Sequence, residues 1–117
     1  MTSRDTSARD ALAERIRGVL SGSDDVRVVN MFGGLSFMVD GRMAVAAGRN
    51  GDLLVRTHPA DHDDLLRRGG EPAFMGPGRP MGDGWLTVPT ARIEADTELA
   101  FWVGVGLTSG KAAGSAD

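Results

Sequence analysis

From Val26 to Ala46 the chain reads as strand, and one change of phase inside that stretch limits the folds open to it. The stretch is "VRVVNMFGGLSFMVDGRMAVA". Ahead of Gly33-Gly34 the apolar residues Val26, Val28 and Phe32 hold even positions; after it Leu35, Phe37 and Val39 hold odd ones. Side chains of a strand alternate between faces, so the phase shifts only if the ladder takes in an extra residue. A β-bulge supplies that residue and keeps Val26 to Val39 as one bent strand, which is the preferred reading. Gly33 and Gly34 tolerate the dihedrals a bend requires. A tight Gly-Gly hairpin is the competing reading. At the next turn, a three-residue loop of Val39, Asp40 and a left-handed Gly41 sets Phe37 opposite Met43 and Leu35 opposite Val45. A two-residue Asp40-Gly41 turn instead sets Phe37 against Ala44 and Val39 against Arg42, and the first pairing buries better.

The rest of the chain supplies helices and further strands. In "TSARDALAERIRGVLSG", Ala8, Leu12, Ile16, Val19 and Leu20 recur at helical spacing. Thr6 or Ser7 caps the start and Gly22 the end, with Arg9, Asp10, Glu14, Arg15 and Arg17 on the solvated side. "GRNG" turns the chain into "DLLVR", a strand ending at Arg56. "HPADHDDLLRRGG" is a short helix with Pro59 at its first position, aspartates early, Arg67 and Arg68 late, and Gly69 as its stop. "EPAFMGPGRPMGDG" reads as a Gly/Pro-rich loop with one short strand around Ala73 to Met75, and "GWLTVP" as a last strand. The final helix starts at Asp96. Leu99, Trp102, Val103 and Leu107 form one apolar stripe, and Phe101 and Val105 a second. A helix apolar on two sides is buried by two layers or shared with another subunit. Gly104 and Gly106 each cost it about 1 kcal/mol of helix propensity relative to Ala, for close packing or for fraying.

Taken together these elements make a soluble α+β domain. The 117 residues fit one core; residues 1–110 are read as a single domain and 111–117 as a disordered tail. The absence of cysteine excludes disulfides and thiolate metal sites. The opening "MTSRDTSARD" is no signal peptide, and no apolar run reaches the ~18 residues of a membrane span, so the expected location is the cytoplasm, without membrane attachment.

Motifs that carry chemistry all fall short. "GLSFMVDGR" has neither the spacing nor the lysine of a phosphate-binding loop. "GPGRPM" and "GVGLTS" miss the dinucleotide fingerprint at Met81 and Ser109, and "GLSFM" misses a nucleophile elbow at Met38. His58 and His62 stand four apart, but His58 precedes Pro59 at the helix cap and no third metal ligand stands out. The chain is therefore expected to have no catalytic residue, no metal and no cofactor, and not to be an enzyme. Three arginines, Arg42, Arg56 and Arg79, would bind an anion, nucleic acid or an acidic partner if the sheet brings them together. A net charge of −3 provides no general attraction to phosphate backbones. Trp85 anchors the glycine-rich loop or forms the apolar wall of a ligand site.

"MFGGLSFMVDGRMAVA", "DLLVR" and "GRPMGDGWLTV", followed by a Trp-containing helix, resemble the N-terminal domain of the TfoX/Sxy competence-regulator family from about Leu12 to Leu107. The most specific parts are Met31, Phe32, Gly33 and Gly34, then Gly78, Arg79, Pro80, Met81 and Trp85. The resemblance implies the order helix, three antiparallel strands, helix, two strands, helix, a two-layer sandwich similar to secretion chaperones and YjbR-like proteins. It also implies a regulatory, non-enzymatic role. Two-domain members of the family activate transcription of DNA-uptake genes together with a cyclic-AMP receptor protein. Their C-terminal domain has no counterpart before this chain ends, so a stand-alone domain is expected. The leading expectation is a protein-interaction module, with another protein or a second copy (a homodimer) bound at a sheet edge or at Phe101 and Val105. Nucleic-acid contact through Arg42, Arg56 and Arg79 is one alternative, and a small-ligand site around "GPGRPMGDGW" another.

Overall fold

The computed structural model describes residues 7–22, 26–31, 34–39, 41–48, 50–76, 78–82 and 84–115; the side chains of Met31, Met75, Arg79, Pro80 and residues 109–115 lie outside the description. Helix α1 (Ser7–Val19) runs into a 3-10 turn at Leu20–Gly22. Four strands follow: β1 (Val26–Met31), β2 (Gly34–Val39), β3 (Arg42–Ala47) and β4 (Leu53–Arg56). After a 3-10 turn, α2 (His62–Arg68) leads to β5 (Glu71–Pro72), β6 (Phe74–Gly76), β7 (Arg79–Pro80) and β8 (Trp85–Val88). The last helix is α3 (Asp96–Ser115), which carries helical backbone past residue 111, where the sequence places the start of a tail.

Among the described residues, six strands form one antiparallel sheet in the order β1-β2-β3-β4-β8-β5, and β6 and β7 form a separate hairpin. The helices pack on one side of the sheet. Phe37, Val45, Leu53, Val55, Leu86 and Val88 from the strands meet Leu12, Ile16 and Leu20 from the first helical segment and Leu99, Trp102 and Val103 from α3. Each such side chain contributes about 1.5–3 kcal/mol when fully buried. The α+β class and the two-layer arrangement agree with the sequence.

Two readings of the opening stretch are corrected. Val26 to Val39 is two paired strands, not one bent strand: Met31 lies opposite Gly34, Val28 opposite Phe37 and Val26 opposite Val39. The antiparallel pairing of the competing hairpin reading is therefore found, with Gly34 already in β2 and not in a Gly-Gly turn. Directly opposed residues share a face, so a two-residue connection swaps even for odd positions just as a bulge does. Phe32 and Gly33, which make that connection, lie outside the described residues. The first run thus contains four strands rather than three.

The next turn also differs. Val39 faces Arg42 and Met38 faces Met43, which requires a two-residue connection with Gly41 left-handed at φ +85°. The register then slips so that Phe37 meets Val45 and Leu35 meets Ala47. Ala44 is the extra residue, and the bulge lies here in β3. Adjacent Ala44 and Val45 are both buried, and the two of them stand against Phe37 alone. The slip puts Val45 into the core beside Phe37 and leaves Met43 with Met38 on the other face.

The helices follow the sequence more closely. His58 caps the 3-10 turn at Pro59–Asp61, its Nδ1 accepting from the Ala60 amide at 3.2 Å, and Gly69 closes α2 at φ +127°. Val19, expected in the apolar stripe of α1, is instead exposed. On α3, Gly106 rests against the bulge. A Cβ there would overlap the Ala44 carbonyl and lie 2.8 Å from Val45 Cγ1, whereas one at Gly104 would meet nothing within 4 Å.

Candidate functional site

Alternation fixes the other side of the sheet. Ser36, Ala46, Leu54 and Thr87 are successive cross-strand neighbours, each flanked along its strand by core residues, so this row faces away from the helices. The helix-free face holds a cavity of about 700 Å³. Leu54 lies in its floor, Met38 and Met43 on one side, and Trp85 at one end. Phe74 from the β6–β7 hairpin and Met81 just after it form part of the wall. Met81 is tied back by its amide, which donates to the Ala73 carbonyl at 2.8 Å. Phe74 is 56% exposed, in contrast to the buried aromatic residues of the core.

Arg56 is fixed at the tryptophan end. It lies directly opposite Trp85 in the β4–β8 ladder, with its guanidinium carbon 4.9 Å from the ring centroid. Such a contact contributes about 0.5–1 kcal/mol at an exposed site and more when desolvated. The Arg56 Nε–H donates to the Met43 carbonyl at 3.2 Å. Backbone pairing of β3 with β4 runs from Ala47 and Leu53 only as far as Val45 and Val55, so this side-chain bond lies beyond the last backbone rung. Among the described residues no carboxylate pairs with the guanidinium. Arg42 lines the same cavity from the β2–β3 turn.

The opposite end carries the other charge. Asp52 lines the cavity there, and its Oδ1 accepts from the Thr90 amide at 3.1 Å, while the Thr90 hydroxyl is shared between the Gly51 carbonyl at 3.0 Å and Asp52 Oδ1 at 3.2 Å. Gly34 stands at this end too, where a Cβ would lie 2.7 Å from the Ala47 carbonyl. Close approach of the two strands therefore requires glycine at that position.

The residues singled out in the sequence are thus partly assembled. Arg42 and Arg56 are brought to one cavity; Arg79 sits in β7, opposite Gly76, and its side chain lies outside the description. Gly34, Met81 and Trp85, which carry the family resemblance, line the cavity from two ends, and Gly78 turns the small hairpin at φ +72°. Sequence reasoning missed Met38, Met43, Leu54 and Phe74. The signal for Leu54 was present: in "DLLVR" it alternates with the core residues Leu53 and Val55. Met43 was assigned to the core with Phe37; the register at the Val39–Arg42 turn pairs it with Met38 on the opposite face, and the bulge at Ala44 then returns Val45 to the core.

Phe101 and Val105 are less open than a free stripe would be. Both are partly buried; the Arg68 guanidinium carbon sits 3.7 Å from the Phe101 ring centroid, and Trp102 meets that ring edge-on at 5.1 Å. Among the described residues no three His, Cys, Asp or Glu side chains converge on a metal position. No described helix is long and apolar enough to cross a membrane.

A family model described as the TfoX N-terminal domain matches residues 19–109, a span that begins at the last residue of α1, includes every strand and reaches well into α3. No curated protein matches the chain.

Proposed function

The chain belongs to the TfoX N-terminal domain family, and on that footing we propose that it is a regulatory module of the cytoplasm that works by binding rather than by catalysis. Membership supports a competence-related or other regulatory role in general terms. The observation that carries the reading is the helix-free face, where Leu54, Met38, Met43, Trp85 and the exposed Phe74 border one cavity. Apolar surface gathered in one place and rimmed by charge marks an interaction site on a soluble domain. A protein partner is better served by this face than by Phe101, over which Arg68 already lies, and the partly buried Val105. Arg56 is folded against Trp85 and Met43, a posture suited to one enclosed anion and poorly suited to tracking a nucleic-acid backbone.

Leu54→Arg tests this reading. Leu54 is half-buried outside the core cluster, so the variant keeps the fold while placing a charge in the middle of the face. Wild-type and variant protein, immobilised and exposed to cell lysate, should differ by at least one protein that only the wild type retains, at unchanged melting temperature. Identical retained sets would refute the open face as the binding surface.

A further inference from the structure

We propose that the cavity on the helix-free face binds a small monocarboxylic acid with an apolar body, its carboxylate on Arg56 and Arg42. The inference rests on the helix-free face being the binding face and adds the chemistry of an occupant. The volume, about 700 Å³, lies within the range of small-molecule sites. Arg56 is oriented in advance by its bond to the Met43 carbonyl and by the Trp85 ring. Its Nε–H is occupied by that bond, so the terminal nitrogens are the donors available to a carboxylate, and such charge-assisted bonds are the strong ones. An acid bound there lays its body over Leu54, two residues or roughly 7 Å along β4. Met38, Met43 and Met81 flank that path, and unbranched thioether side chains adapt to varied apolar shapes. Asp52 stands four residues from Arg56, roughly 13 Å along the strand. A carboxylate at that end would face a carboxylate, so the polarity of the cavity selects against a diacid of similar length.

Octanoate, octanamide and suberate have chains of the same length and separate these contributions. Titration calorimetry on the full chain should show octanoate binding one to one, with octanamide and suberate each at least tenfold weaker, a difference of about 1.4 kcal/mol. Octanoate should shift the methyl NMR signals of Met38 and Met43. Arg56→Gln should lose at least tenfold in octanoate affinity at unchanged melting temperature. If that variant unfolds, Arg42→Gln decides: Arg42 is exposed, and its loss should weaken octanoate severalfold without touching the fold. Octanamide or suberate matching octanoate, an unaltered affinity in a folded Arg56→Gln, or no saturable binding of octanoate would overturn the proposal. If the acid fails to bind while Leu54→Arg still releases a retained protein, the small-acid site is wrong and the binding-face reading stands.

Discussion

Gly104 and Gly106 stand two residues apart on α3, and alanine should move stability in opposite directions at the two sites. Removing glycine from a helix interior gains about 1 kcal/mol of propensity. At Gly104 nothing opposes that gain, because a methyl group there meets no atom within 4 Å. At Gly106 the new Cβ lands on the Ala44 carbonyl and 2.8 Å from Val45 Cγ1, where ordinary contact begins at 3.4 Å. The carbonyl belongs to strand backbone and cannot rotate aside as a side chain does, so α3 must withdraw. Withdrawal loosens Trp102 and Val103 on the same helix, both fully buried against the sheet. Overpacking of this kind costs about 1–3 kcal/mol, and more when backbone must move. The propensity gain offsets part of it, leaving Gly106→Ala less stable by about 1–2 kcal/mol and Gly104→Ala more stable by up to about 1. Urea unfolding followed by circular dichroism resolves a gap of that size at constant m-value. Equal gains at both positions would refute close packing of α3 on the bulge.

Two further substitutions test the packing around the site. Phe101→Ala should cost about 2 kcal/mol, roughly half the loss at a fully buried phenylalanine, because the ring supports Trp102 and carries Arg68. Its mass across a dilution series should equal that of the wild type; wild-type stability combined with a fall in mass would instead make Phe101 part of a subunit interface. Asp52→Ala removes the acceptor of the Thr90 amide and should cost about 1–2 kcal/mol in the same unfolding assay. An unchanged urea midpoint for Asp52→Ala would contradict the assignment of that bond.

What the sequence made legible was governed by local rules. The caps and stops of α2, the stripe of Leu99, Trp102 and Val103, and the strand at Leu53 to Arg56 each follow from a few neighbouring residues. The pairing of β1 with β2 did not, since a reversal between strands and a bulge change parity alike and only the partner strand distinguishes them. The slip at Ala44 lay beyond reach for a related reason: the carbonyl at the slip lies against Gly106 of α3, a contact from the far end of the chain. Met43 reaches the cavity through the register at Val39 and Arg42, where the sequence favoured a three-residue loop. Arg42 and Arg56 were picked out by residue type alone; adjacent strands β3 and β4 bring both to one cavity, and the non-local pairing of β8 with β4 adds Trp85.

The link from Arg56 to the Met43 carbonyl closes the ladder where the backbones of β3 and β4 have parted. A clasp made by a side chain can be undone without unravelling main-chain pairing. The parted strands form a seam in an otherwise continuous sheet, and a change that pulls Nε off the Met43 carbonyl loosens one stitch there while the remaining rungs hold.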